Sequence, residues 1–328
     1  MSELRILVTG GAGFLGSSLC QSLVDMGHNV VALDSLFRGR KENLVQVLDK
    51  DNFTFVHADV REVDALDGVV ELLGGLDLVF HLAAVNGTKW FHEAAHSVID
   101  VNINGTLRTL ELAMAHDARY VLASSPEAFG EALEQPIRDG NMMQFTDPAE
   151  HQRHSYGASK YLDEVACQHA ARDGLDVRIV RPFNAYGPRL VGDEYGQVVS
   201  IFFHKLLNDE TLLVHGDGSQ TRSFTWIDDV TDGFVKSGLL DKGLDGSNLS
   251  GVAFNIGSTE EVSISQLAEK VVIASGKEES KVEFGTGYFG DSKRRLPDIE
   301  TTKRLLGWMP TVDLQQGLQK MWNELTEN

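Results

Sequence analysis

Cysteine is nearly missing from this sequence: among 328 residues there are only Cys20 and Cys167. Both fall in helix-like stretches, and neither belongs to a CxxC or Cys/His cluster. No structural-zinc or other metal pattern is present, and a reducing compartment fits. Each is expected as a small packed residue. Positive charge is also scarce, since 29 Lys and Arg face 48 Asp and Glu for a net charge of -19. The excess is spread along the chain, which argues against non-specific binding to nucleic acid or an anionic membrane. An anionic substrate then requires a local basic pocket. No stretch approaches the ~18 apolar residues of a membrane span, and the start lacks a basic region, apolar segment and cleavage site, so the cytoplasm is expected. Internal repeats and low-complexity segments are missing too. What is present is 42% hydrophobic residues, enough for an ordinary core in one large or two modest domains.

The first half alternates β-rich runs with helical patterns. Strands are expected at Arg5 to Thr9, Asn29 to Asp34, Phe53 to His57, Leu76 to Ala83, Tyr120 to Ser124 and Val177 to Arg181, with a helix from Tyr156 to about Asp173. Such alternation predicts an α/β fold: a doubly wound, Rossmann-type parallel sheet of six or more strands. Beyond about Pro182 the chain becomes irregular and rich in Gly and Asp, with short helices near Val198 to Leu207 and Ile264 to Ala274. The expected division is a dinucleotide-binding domain over 1–182 and a smaller substrate-binding lobe over 183–328, with room for the chain to cross back.

The first strand runs into Gly10-Gly11-Ala12-Gly13-Phe14-Leu15-Gly16, where Gly10, Gly13 and Gly16 have GxxGxxG spacing. Glycine allows a tight turn and close approach of a pyrophosphate to the positive end of the following helix. Asp34, ending the second strand 18 residues after Gly16, is placed to accept from the adenosine ribose hydroxyls. A carboxylate there repels a 2′-phosphate, so NAD is preferred over NADP, although Arg38 is of the type that accommodates such a phosphate. Asp59-Val60 follows the third strand, where an aspartate reaches an adenine amino group or simply makes a surface turn. His81-Leu82-Ala83-Ala84 closes the fourth strand with small residues that let a cofactor lie close, and core packing explains His81 equally well.

Tyr156 and Lys160 stand at i, i+4, on one face of the expected helix. A free tyrosine with a pKa near ~10 is a weak base at neutral pH, but a neighbouring ammonium favours its phenolate. Lys160 supplies that ammonium and a donor to the nicotinamide ribose. Ser124-Ser125 ends the preceding strand, so Ser125 can hold the substrate oxygen from which Tyr156 takes a proton while hydride leaves carbon.

With these residues in place the chain resembles the extended short-chain dehydrogenases that act on nucleotide sugars. The likeness runs through GGAGFLG, HLAA, DVNINGT, SSPEAFG, YGASK, RPFNAYGPR, GDGSQTRSFTWIDD, FNIGS and RRLPDIETTKRLLGW. It implies NAD retained and recycled through a transient 4-keto sugar. It also implies Ser124 and Asn102 near the cofactor, Asn184 near the substrate diphosphate, and Arg222 and Arg295 on phosphate or nucleotide ribose. Two arginines in an acidic chain can form the required anion clamp. Asp298 resembles the family's acidic ribose contact, or caps the helix that follows it. Asn86, Thr88 and Lys89 follow the fourth strand where the family contacts substrate. A homodimer through the helices around Ala94 to Ala115 and Tyr156 to Asp173 is implied as well.

Ser125-Pro126-Glu127 occupies the place where sugar 4,6-dehydratases carry Thr-Asp-Glu and UDP-glucuronate decarboxylases carry Thr-Ser-Glu. A C4 ketone acidifies the C5 proton, so a carboxylate facing C5 can remove it. Pro126 has no side-chain proton for a leaving C6 hydroxyl, which disfavours simple dehydration. Glu127 is either that acid/base group or a structural residue. The leading expectation is epimerisation of an NDP-sugar, with a UDP-sugar first among them, ahead of dehydration and decarboxylation. A net NAD(P)-dependent alcohol oxidoreductase and a non-catalytic NAD sensor are the readings of other classes. Tyr156 and Lys160 argue against the sensor.

Overall fold

The apolar runs of the first half lie side by side as parallel strands. The computed structural model describes residues 3–150, 154–192, 196–287 and 292–327. Its first six strands are β1 (Arg5–Thr9), β2 (Asn29–Asp34), β3 (Phe53–His57), β4 (Leu78–His81), β5 (Arg119–Ala123) and β6 (Val177–Pro182). Parallel neighbours need crossovers, and these are α1 (Phe14–Asp25), α2 (Val63–Leu73), α3 (Thr88–Glu93) with α4 (Ala95–Ala115), and α5 (His154–Arg172). The second half adds β7 (Ala185–Tyr186), β8 (Leu212–His215), β9 (Thr221–Arg222), β10 (Thr225–Trp226), β11 (Val252–Ile256), β12 (Val262–Ser263), β13 (Val282–Gly285) and β14 (Arg294–Arg295). Its helices are α6 (Val198–Leu207), α7 (Ile227–Leu239), α8 (Ile264–Ser275), α9 (Glu300–Leu306) and α10 (Leu314–Glu327).

The main sheet has the order β11-β6-β5-β4-β1-β2-β3 and is parallel throughout. Side chains alternate between its faces. Ile6, Val8, Phe80 and Val121 pack with Leu19 and Leu23 of α1 and Phe234 of α7. Leu7, Val79 and Leu122 pack on the other face with Val69 of α2, Leu110 of α4 and Cys167 of α5. A third core joins α6, α8 and α10 through Phe203, Leu206, Leu267, Val271, Leu318 and Met321. Among the described residues, no helix is long and apolar enough to cross a membrane.

One difference from the sequence reading lies at the ends of β4. The fourth strand, Leu78–His81, is shorter than Leu76 to Ala83; at its ends side-chain bonds join the backbone ladder, in which the Asp77 and Leu82 amides still donate to the Arg5 and Thr9 carbonyls of β1. The Asp77 carboxylate accepts from the Arg5 amide at 2.8 Å, and the amides of Leu82 and Ala83 donate to the Thr9 hydroxyl at 3.2 Å. Past Pro182 the chain re-enters the main sheet as β11, with Val252 to Ile256 in register against Arg178 to Pro182. The stretch 183–328 therefore supplies one strand of the main sheet, the crossing back for which the expected division left room. Strand order reverses about β1, and the crevice at the carboxyl ends of β1 and β4 is where such sheets bind ligands.

Candidate active site

The glycine turn sits in that crevice. Gly10 has φ +67°, and a Cβ there would lie 2.8 Å from the Ala83 amide nitrogen. A Cβ on Gly16 would fall 2.0 Å from the Gly10 carbonyl oxygen, so only glycine lets α1 start this close to the turn. Phe14 and Leu15, on the first turn of α1, are partly buried and bridge two of the cores. Asp34 accepts from the amides of Ala12 at 3.0 Å and Leu36 at 2.7 Å. Burial raises its pKa, opposed by these amides and by His57. A bare glycine turn, a helix N-terminus and a carboxylate at the end of β2 fit a dinucleotide, with the pyrophosphate on α1 and the ribose at Asp34.

The Asp59 carboxylate is committed to Arg61, with contacts of 2.9 and 2.6 Å, and Arg61 bridges onward to Asp100 on α4. Hydrogen bonding from Arg61 holds Asp59 below the usual carboxylate range. Val60 is buried close to Gly105. His81 is buried with Nδ1 2.8 Å from the Thr9 hydroxyl, so it anchors β4 to β1. Asn102 is fully buried; its oxygen accepts from the Val85 amide at 2.8 Å and its amide donates to the Ser159 hydroxyl at 3.0 Å. It thereby ties the exit of β4, including Ala84, to the helix that carries the tyrosine.

The turn after β5 builds the reacting end. The Ser124 hydroxyl donates to Glu164, whose carboxylate is gripped by Arg181 at 2.8 and 2.5 Å. Ser125 caps a 3₁₀ turn, Pro126–Phe129, its hydroxyl accepting from the Glu127 amide at 3.2 Å. Pro126 takes the first position, where no amide hydrogen is needed. The Ser125 hydroxyl also faces that of Tyr156, whose ring stacks on Phe91 at 4.9 Å between centroids. Burial raises the Tyr156 pKa, while Lys160 and Ser125 pull it down and Glu127 and Asp163 push it up. The Lys160 ammonium donates to Asp163 at 3.2 Å. Burial works against its charge, but Asp163 and Tyr156 outweigh that and hold its pKa above the usual value.

On the substrate side, Asn184 takes a positive φ of 38° and donates to the Ser223 carbonyl at 2.8 Å. Arg222 and Arg295 stand opposite each other in the parallel register of β9 and β14. Arg222 donates to the Thr221 carbonyl at 2.9 Å. Arg295 is buried, binds the Glu127 carboxylate and donates to the Ser292 hydroxyl at 2.9 Å. The arginine that resemblance sets on phosphate or ribose thus reaches the turn beside Tyr156. Asp298 accepts from the Glu300 amide at 3.0 Å in the turn before α9, whose N-cap is Ile299. Asn86 is exposed, and Lys89 lies 3.9 Å from Glu93 one helical turn on. The Thr88 side chain lies outside the described residues.

The profile of the NAD dependent epimerase/dehydratase family matches residues 6–257. The chain belongs to this family. Over 322 residues it is 36% identical to UDP-glucuronic acid decarboxylase 4 of Arabidopsis thaliana, covering 97% of this chain and 68% of that one. It is 34% identical to the UDP-glucose 4-epimerase of Mycolicibacterium smegmatis, with 97% of each chain covered. Its fold superposes, with a TM-score of 0.86 and 28% identity, on a variant of the UDP-glucuronic acid 4-epimerase of Bacillus cereus solved with NAD and UDP-4-deoxy-4-fluoro-glucuronic acid; 98% of this chain and 99% of that one are covered. The protein is therefore an NAD-dependent enzyme, and the fit of the glycine turn and Asp34 to a dinucleotide agrees.

Sequence reasoning passes over Ser159, Asp163, Glu164 and Arg181. The available signal is a polar stripe on the tyrosine helix: Tyr156, Lys160, Asp163 and Cys167 recur at helical spacing, and all four are buried. Charged residues on a helix usually mark its wet face, which is why the stripe is easily misread.

Proposed function

We propose that this enzyme acts on a nucleotide sugar, specifically a UDP-linked uronic acid with a C6 carboxylate, and decarboxylates it through a 4-keto intermediate with NAD recycled. The observation that carries this reading is the Glu127–Arg295 ion pair, set beside Ser125 and Tyr156. C4 epimerisation needs only hydride transfer and a turn of the sugar; it requires neither a carboxylate nor a guanidinium near C5 and C6. The similarity to a UDP-glucuronic acid decarboxylase supports the same choice.

Ser125 and Tyr156 hold the C4 hydroxyl, Tyr156 takes its proton, and Lys160 stabilises the phenolate. NAD held at the glycine turn and Asp34 would supply the acceptor for the C4 hydride and the donor that later restores it. In the 4-keto sugar the C6 carboxylate is β to a carbonyl. Arg295 holds that carboxylate by charge and hydrogen bonding. The C5–C6 bond breaks, carbon dioxide leaves, and the electron pair passes to the C4 oxygen, where Tyr156 and Ser125 receive it. Glu127 then delivers a solvent-derived proton to C5. Pro126, without a proton for a leaving hydroxyl, favours C4 epimerisation over 4,6-dehydration as the second reading.

Incubation with UDP-glucuronate in D₂O tests this. The expected product is a UDP-pentose carrying deuterium at C5, with no net NADH. An isomeric uronate of unchanged mass would replace decarboxylation by C4 epimerisation, and turnover of neutral UDP-sugars alone would remove the uronate.

The oligomer belongs to the same proposal. Helices α4 and α5 pack together and leave Ile99, Leu107, Met114, Leu162 and Val165 exposed. A second copy meeting these helices forms a four-helix interface, which supports a homodimer. Two free, buried cysteines support a reducing, cytoplasmic setting.

A further inference from the structure

Beneath the Tyr156–Lys160 pair lies a second charge. Asp163, one turn further along α5, has a side chain 1% exposed and 3.2 Å from a Lys160 ammonium that is itself 1% exposed. Its second oxygen, Oδ1, is buried and makes no hydrogen bond in the structure, so the ammonium is the only direct ion-pair partner it has among the described residues. A buried carboxylate is costly unless compensated. A residue kept only for packing would be neutral here.

We propose that Asp163 is a positioning residue: it holds the Lys160 ammonium in place and sets how strongly that ammonium acts on the Tyr156 hydroxyl. The proposal rests on the roles given to Tyr156 and Lys160 above. Its physical content is a balance of charges. An ammonium alone favours the phenolate; an ammonium shared with a carboxylate favours it less but stays charged to higher pH. Asp163 thus trades base strength for a lysine that does not deprotonate in its buried site.

Among the surrounding groups Glu127, paired with Arg295, also raises the Tyr156 pKa, ahead of Asp163, and that contribution is common to the wild type and an Asp163 variant. On β4, His81 is buried next to Lys160, and burial first, then the lysine charge, drives its pKa far down. On β5, Tyr120 is driven far up, chiefly by burial, and so is Cys167 on α5. Thr106 on α4 faces Asp163 and does not titrate. Glu164 is held by Arg181 and Glu127 by Arg295. None of the neutral neighbours gains or loses charge across the working range.

The test is the pH profile of single-turnover NAD reduction, read from nicotinamide absorbance with UDP-glucuronate and, in parallel, UDP-glucose. In the wild type the rate rises with pH as Tyr156 loses its proton. Removing the carboxylate charge in Asp163→Asn lowers the cost of the phenolate, so the midpoint falls by about one unit. Below it, the variant transfers hydride up to about tenfold faster than the wild type. Lys160, deprived of its counter-charge, now loses its proton at the alkaline end, and a decline appears there. Asp163→Glu restores the wild-type shape. If Asp163→Asn does not fold, Asp163→Ser, which admits water beside the ammonium, carries the same expectation. A profile lowered at every pH but unmoved along the axis would reduce Asp163 to a structural residue and overturn the proposal. Tyr156→Phe separates the two levels: if it still reduces NAD, the tyrosine assignment fails, whereas an inactive Tyr156→Phe with an unmoved Asp163→Asn profile condemns only Asp163.

Discussion

Glu127 is constrained from two sides, by Arg295 on its carboxylate and by the Ser125 hydroxyl on its amide. That arrangement suits a group that acts after the ketone forms. Glu127→Gln keeps the amide contact and the side-chain shape but cannot exchange a proton. It is expected to reduce bound NAD in one turnover, then stall with keto sugar trapped and overall turnover down by ~10²-fold or more. Stopped-flow absorbance with quenched product analysis measures both steps, and turnover within a few-fold of wild type would make Glu127 a local structural residue. Residue placements were legible in the sequence where they are local. Tyr156 and Lys160 are four apart on one helix, and the glycines precede a helix. Arg295 and Glu127 meet across 168 positions, and no local pattern signals that pairing. Asp163 was readable in principle, but burial is a tertiary property that spacing does not report.

At the scale of elements, α5 and the Pro126–Phe129 turn are packed so closely that Gly157 has no room for a side chain. A Cβ there would lie 2.4 Å from the Glu127 carbonyl oxygen. Gly157→Ala must push the turn and helix apart, separating Ser125 from Tyr156. The expected result is a loss of turnover of about 10²-fold with NAD binding intact, since the glycine turn lies between β1 and α1. Isothermal titration of NAD beside an activity assay checks it, and parallel losses of binding and turnover would point to general unfolding. The same scale shows how far the strands were readable. Runs such as Arg5–Thr9 and Asn29–Asp34 are continuous and apolar, as buried parallel strands must be, and they stand where the pattern places them. Strand β11 was passed over because its five residues sit in a Gly- and Asp-rich stretch and are made a strand by β6, some seventy positions earlier.

For the whole molecule, the paired helices α4 and α5 present the apolar surface that a second copy is proposed to cover. Val165→Arg, placed on an exposed valine of α5, puts an uncompensated charge in that seam. Light scattering is expected to return twice the chain mass for the wild type and a monomer for the variant at micromolar concentration; a monomeric wild type would remove the dimer. The position of β11 has a further effect on how the protein comes into being. A ribosome releases the chain from its first residue onward, and β6 emerges as the outermost strand on its side of the growing sheet. The main-chain donors and acceptors on its outer edge stay unpaired until Val252–Ile256 follow, seconds later at ~5–20 residues per second. An open apolar strand is a template for the wrong neighbour. The hazard of misassociation at β6 is therefore concentrated in that interval of synthesis, after which the edge passes to β11, whose Asn255 carbonyl accepts from the Thr302 hydroxyl of α9.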